Sequence, residues 1–125
     1  MDKLTAYAPF LARLFLAALF LMAAFGKLAD VQGFTGYLTS GGLPAFLAWP
    51  SIIFEVVLGL SMLAGFQARI MALLGASFCV VSAILYHFQP ADQIQMTMFL
   101  KNFAIAGGFL MIFAHGPGKL AVDKA

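Results

Sequence analysis

Four long apolar runs dominate the chain, at residues about 9–28, 49–66, 70–88 and 97–115. About 17–25 mostly apolar residues are needed for a helix to cross the hydrocarbon of a bilayer. Each run is a solid apolar block, unlike the alternating pattern of a membrane barrel strand. The pattern predicts an all-α fold, an integral membrane four-helix bundle formed by one domain over residues 1–125.

The segment between the first two runs predicts a loop. Residues 30–50 hold four glycines and two prolines, which are turn and breaker residues. Aromatic side chains of the kind that form a belt at the membrane interface also lie there: Phe34, Tyr37, Phe46 and Trp49. We therefore expect this loop to lie on the membrane.

Composition agrees with a membrane location, since only 10% of residues are charged and 63% are hydrophobic. A typical soluble domain has about 25% charged residues, and a small one has much surface to cover with polar groups. The net charge is +2 and the basic residues form no run, which argues against a nucleic-acid partner. The expected partner is the lipid bilayer.

Lysine and arginine placement predicts the orientation. With four spans, both termini and the turn near residue 67 share one side of the membrane. That side carries Lys3, Arg13, Arg69, Lys119 and Lys124, and the other side carries Lys27 and Lys101. The positive-inside rule then places the N- and C-termini in the cytoplasm. Arg13 and Arg69 are interpreted as anchors at the inner interface.

Polar groups inside the spans are the candidate chemistry, because ionisable side chains are costly in a bilayer. At 1.5 Å rise per residue, five of them fall at similar depth in the outer half: Glu55, Lys101, Asn102, Lys27 and His87. Glu55 is flanked by apolar residues on both sides. Three readings stay open: an ion pair with Lys27 or Lys101 that fixes the bundle, a proton-handling or ligand-orienting carboxylate, and an unpaired protonated acid.

The other members of this polar set also have two readings each. Lys101 and Asn102 can donate hydrogen bonds to a carbonyl or an anion, such as a quinone head or an oxyanion. Alternatively, Lys101 and Lys27 extend to the outer interface, and His87 is an ordinary interfacial residue.

No self-contained catalytic centre is visible. Cys79 is the sole cysteine, so neither a disulfide nor a CxxC pair can form. His87 and His115 lie at opposite faces and cannot bind one haem together, and no residue cluster has the spacing of a metal site. We therefore expect no metal and no intrinsic cofactor. Redox chemistry here would need a diffusible cofactor, with quinone as the candidate, or a partner protein.

Several motifs resemble those of the DoxX family, in the right order over nearly the whole chain. They are Arg13-Leu14 with Phe20 and Gly26-Lys27-Leu28, then Glu55-x-x-x-Gly59 and Gly65-x-x-x-Arg69, then Lys101-Asn102-x-Ala104-x-x-Gly107-Gly108, and finally Gly116-Pro117-Gly118 with Asp123. Ala121 departs from the pattern, since many members have serine there. The resemblance implies a four-helix protein of the inner membrane. Relatives include the membrane subunit of a thiosulfate:quinone oxidoreductase, membrane partners of redox and thiol-stress enzymes, and, more distantly, receptor-assembly chaperones of animals.

Two functions follow as hypotheses. The first is a quinone-interacting or redox-associated membrane subunit, whose outer-half polar site orients a quinone while a partner enzyme provides the electrons; the chain would be at most a subunit of an oxidoreductase complex. The alternative is a non-catalytic membrane scaffold or assembly factor for a partner protein. A small transporter or channel subunit is a third reading, which would need a homo-oligomer to form a pathway.

Overall fold

A computed structural model describes residues 1–123, which form five α-helices. They are α1 (Asp2–Ala29), α2 (Val31–Ser40), α3 (Ala48–Ala64), α4 (Ala68–Ser82) and α5 (Gln93–His115). A 3-10 turn, Ala45–Leu47, leads into α3, and α4 continues as a π-helical segment, Ala83–His87. Lys124, which entered the orientation argument, lies outside the described residues.

The four predicted spans are confirmed, since four helices are long and apolar enough to cross a membrane. Their bounds are Asp2–Ala29, Ala45–Ala64, Ala68–His87 and Gln93–His115. Within residues 1–123 there is no strand, so the all-α class is confirmed as well. All four spans begin earlier than predicted, most clearly α1 and α5, because the polar residues of their first turns fall outside the apolar runs. Asp92 caps α5 by accepting hydrogen bonds from the backbone N–H groups of Ile94 and Gln95.

The predicted loop at residues 30–50 is wrong in its first half, where the chain forms α2. Asp30 caps this helix, and its carboxylate accepts a hydrogen bond of 2.9 Å from the N–H of Gly33. A Cβ at position 33 would collide with that carboxylate, so glycine allows the cap to close. A glycine inside a helix costs only about 1 kcal/mol relative to alanine, which one good cap offsets.

The spans pack as two close pairs, α1 against α3 and α4 against α5. Phe109 of α5 is fully buried, and its ring sits directly on Gly75 of α4, where a Cβ would lie 2.9 Å away. Leu58 and Met62 of α3 fill the centre from the other pair. Many large apolar side chains of the outward faces remain exposed, as expected for surfaces that contact lipid tails.

Candidate functional site

A cavity of about 660 Å³ opens at the end of the bundle opposite the chain termini. It is surrounded by the second half of α1, the start of α3, the end of α4 with its π-helical segment, and the first half of α5. The helix α2 covers it. Most of its lining is apolar. Its charged and polar side chains include all five predicted site residues: Glu55, Lys101, Asn102, Lys27 and His87. The structure therefore brings the whole predicted set to one cavity.

Glu55 is paired with Lys27. The Lys27 Nζ lies 3.0 and 3.1 Å from the two carboxylate oxygens of Glu55. The Glu55 side chain is 3% exposed and that of Lys27 is 26% exposed, so the pair sits at the edge of the buried region. The ammonium of Lys27 also lies 5.2 Å from the centroid of the Phe34 ring in α2, where a cation is attracted to the ring. Of the two lysines left open by the sequence, Lys27 is the partner.

Lys101 and Asn102 have different surroundings although they are neighbours. The Asn102 side-chain amide donates a hydrogen bond of 3.2 Å to the carbonyl of Cys79, which ties α5 to α4. Lys101 lines the cavity with an exposed side chain. It forms no hydrogen bond or ion pair with any other residue in the range 1–123. Lys101 is thus a cation in the cavity without a carboxylate of its own.

The π-helical segment brings several side chains of one helix to the cavity. Ser82, Leu85, Tyr86 and His87 all line it. In an ordinary α-helix these four positions would be spread around more of the circumference. A π-helix has more residues per turn, so successive side chains point in more similar directions. The Nδ1 of His87 lies 2.8 Å from the side-chain oxygen of Gln95 at the start of α5. His87 therefore links the ends of two helices beside the cavity.

α2 is held over the cavity by a pair of tyrosines. The Tyr86 hydroxyl donates a hydrogen bond of 2.6 Å to the carbonyl of Leu38, and the rings of Tyr37 and Tyr86 stack at 4.9 Å. Burial raises the pKa of the Tyr37 hydroxyl, so this phenol stays protonated and can donate a hydrogen bond at neutral pH. Sequence reasoning assigned Tyr37 to the aromatic belt and did not single out Tyr86, although its position next to His87 was a signal.

Arg13 lies at the other end of the bundle, where its guanidinium is fully buried. Its Nε donates to the carbonyl of Pro117 at 2.8 Å, and its terminal nitrogens donate to four more carbonyls at 2.7–3.4 Å. Those carbonyls belong to the end of α3 and to the C-terminal tail: Met62, Leu63, Lys119 and Leu120. The anchor at the inner interface stays a prediction, and the structure adds that the guanidinium forms a buried clamp between α1, α3 and the tail.

Arg69 and Asp123 complete this clamp from the surface. The exposed Arg69 guanidinium donates to the carbonyls of Phe113 and Ala114 at 3.3 and 3.2 Å, at the end of α5. A cation there stabilises the negative end of the helix dipole. The Asp123 carboxylate accepts hydrogen bonds of 2.8 Å from the N–H groups of Gln67 and Ala68, which start α4. None of these residues lines the cavity, so they serve the fold.

The cavity offers apolar walls, a neutral ion pair and an additional cation. Residues 1–123 contain no group of histidine, cysteine and acidic side chains that could hold a metal ion. What the lining can do is bind an apolar molecule and donate hydrogen bonds to acceptors on its head.

Comparison with known proteins gives one family and two relatives. A family profile described as DoxX matches residues 8–88. The chain is similar to "Inner membrane protein YqjF" of Escherichia coli K12, with 36% identity over 124 residues, which are 99% of this chain and 95% of the relative. It is also similar to "Inner membrane protein YphA" of the same organism, with 28% identity over 121 residues, covering 91% and 86% of the two chains. No solved structure gives a significant match.

Proposed function

The chain belongs to the DoxX family and is a multi-pass protein of the inner membrane, and from this premise we propose that it binds a quinone in its cavity. It would act as the quinone-binding membrane subunit of a redox system whose enzyme partner provides the electrons. One observation carries the proposal: hydrogen-bond donors from four spans meet in a mostly apolar cavity large enough for a ring and part of its tail.

The chemistry of a quinone fits this lining. Its head is a flat apolar ring with two carbonyl oxygens, which accept hydrogen bonds but donate none. Lys101 Nζ and the second N–H of Asn102 are donors that the protein leaves available. The apolar walls, among them Phe20, Phe78 and Leu85, suit the ring and its hydrocarbon tail.

Protons for the head would come through the polar side chains of the cavity. Reduction of a quinone to a quinol takes up two electrons and two protons. Glu55, which accepts hydrogen bonds from Lys27, would hand protons to the head, and His87 lies at the end of its helix beside the cavity. With both termini in the cytoplasm, as the positive-inside rule predicts, the cavity would lie in the outer half of the membrane and these protons would come from the outer side.

The test is the quinone content of gently purified protein. We expect near-stoichiometric quinone in a solvent extract of the wild type, analysed by chromatography. Glu55→Gln and Lys101→Met should each lose most of it while they keep the helical content of the wild type. Lys119→Met is the matched control, because Lys119 lies at the opposite end of the bundle and should leave the quinone content unchanged.

A negative result in this quinone assay would favour the second candidate function. If quinone is absent from the wild type, or present at the same level in all variants, the cavity does not hold it as proposed. The scaffold or assembly function then becomes the better explanation of a polar cluster that only stabilises the bundle. Cross-linking in membranes would be the next experiment, because a scaffold must hold a stable protein partner.

A further inference from the structure

The charges that line the cavity do not cancel. Two lysines, Lys27 and Lys101, and one carboxylate, Glu55, are its charged lining residues. Both oxygens of Glu55 are taken by Lys27, so that pair is electrically neutral. Lys101 has no carboxylate within 4.0 Å anywhere in residues 1–123. Counting these two lysines and this glutamate, the cavity carries one net positive charge in surroundings that are mostly apolar.

Several hydrogen-bond donors of this lining have no partner within residues 1–123. Asn102 uses one N–H on the carbonyl of Cys79 and keeps the other. The hydroxyl groups of Ser51 and Ser82 line the cavity and form no hydrogen bond within the part of the chain that the structure describes. The only lining carboxylate is already paired. A head group that accepts several hydrogen bonds and carries a negative charge complements such a site better than a neutral one.

From this geometry we infer that the cavity selects amphiphiles with a single negative charge on the head, and that Lys101 is the residue that selects them. A long-chain carboxylate is the simplest member of this class, and its head would compete with a quinone for the same donors. The inference rests on the proposed function, since it takes the cavity as a ligand site, and it adds a class of anionic ligands to the neutral quinone. An anionic phospholipid has the same head charge but two chains.

Lys101 rather than Lys27 is the selecting residue because of what each already binds. An anion that approached Lys27 would have to displace the carboxylate of Glu55, which is 2% exposed and would be left without its partner. An anion that approaches Lys101 breaks no ion pair or hydrogen bond within residues 1–123. Since Lys101 is exposed, the gain for the anion is moderate, and we expect about fivefold in affinity.

The experiment compares palmitate with hexadecanol, which has the same chain and an uncharged head. Apparent dissociation constants are measured by thermal-shift titration of the purified protein in a nonionic detergent, because a ligand of the folded state raises the melting temperature. Wild type should bind palmitate about fivefold more tightly than hexadecanol. Lys101→Met should reduce this ratio to about one, and Lys101→Arg should keep it. Lys119→Met, at the other end of the bundle, should leave the ratio as in wild type.

Phosphatidylglycerol in the same assay distinguishes the two sources of the charge. Preference for palmitate over this lipid supports a single-chain ligand, and the reverse order supports a membrane phospholipid whose head reaches Lys101. The inference is overturned if wild type binds palmitate and hexadecanol with about equal affinity. It is also overturned if Lys101→Met leaves the ratio of these two affinities unchanged. This failure can be distinguished from failure of the proposed function, because quinone content is measured in a separate experiment. The wild type can hold quinone, and lose it in Glu55→Gln, even if the cavity has no preference for anions.

Discussion

Lys27→Met should be the most destabilising single change in the cavity. Both carboxylate oxygens of Glu55 bond to the Lys27 ammonium, at 3.0 and 3.1 Å, and to nothing else in residues 1–123. Methionine has a similar length but no charge, so the variant keeps the packing and leaves the Glu55 side chain, which is 3% exposed, without its partner. Removing one partner of a buried ion pair typically costs about 3–5 kcal/mol.

Proton uptake by Glu55 sets a ceiling on this loss. An ordinary glutamate, which titrates near pH 4.3, takes up a proton at pH 7 at a cost of about 3.7 kcal/mol. Because the Lys27 side chain is itself 26% exposed, the pair is not fully dry, and we expect a loss of about 2–3.5 kcal/mol in the free energy of unfolding at pH 7. The folded variant then binds one more proton than the unfolded chain, so lowering the pH favours folding. Between pH 7 and pH 5.5 the loss should shrink by about 2 kcal/mol.

The assay is denaturant unfolding in detergent, followed by the fluorescence of Trp49, which is the only tryptophan. Glu55→Gln is the first control and should cost about 1 kcal/mol, since Lys27 can reach water and glutamine still accepts a hydrogen bond. Lys101→Met is the matched control, because it removes an unpaired lysine of the same cavity, and should stay within about 0.5 kcal/mol of wild type. The prediction is refuted if Lys27→Met lowers the free energy of unfolding no more than Lys101→Met does. It is also refuted if Lys27→Met lowers that free energy equally at pH 7 and pH 5.5.

Three further predictions concern the clamp and the cover of the cavity. Arg13→Lys should lower the free energy of unfolding by about 2–4 kcal/mol in the same assay despite keeping the charge. A lysine ammonium has three N–H donors and cannot replace the hydrogen bonds that the guanidinium donates to five carbonyls. Asp123→Ala should cost about 1 kcal/mol by removing the cap of α4, and Asp123→Asn should restore at most about half of that loss, because its amide has one acceptor oxygen for two N–H donors. Tyr86→Phe removes the hydrogen bond to Leu38. Amide hydrogen exchange, measured by mass spectrometry, should then speed up about fivefold in α2 and stay unchanged in α1.

The spans could be predicted from the sequence because a bilayer sets their length and composition, while α2 could not. Its glycines at positions 33 and 36 are ordinarily loop residues, and the signal against a loop was Asp30, placed three residues before Gly33 to cap a helix. Caps depend on one side chain and a few N–H groups, so an apolar pattern does not reveal them. The polar first turn of α5, after Asp92, was missed for the same reason.

The members of the candidate site were predictable by depth, but their pairing was not. Counting 1.5 Å per residue puts Lys27 and Lys101 at comparable depth beside Glu55. Which lysine reaches it depends on rotation about each helix axis and on which helices are neighbours. Lys27 lies on α1, which packs closely against α3 and so against Glu55, whereas Lys101 lies on α5, whose main partner is α4. The sequence has no local signal for either arrangement.

The Arg13 clamp joins segments of the chain that are synthesised at very different times. Its acceptors at Pro117 and Lys119 follow it by 104 and 106 residues in the chain. At about 5–20 residues per second, a ribosome needs roughly 5–20 s to reach them after Arg13 has been made. For part of that interval the guanidinium has only the carbonyls of Met62 and Leu63 as acceptors, and its remaining N–H groups stay hydrated, since a charge is costly in hydrocarbon. The arrival of the tail therefore completes the set of acceptors and joins the tail to α1 and α3 as the last of these contacts.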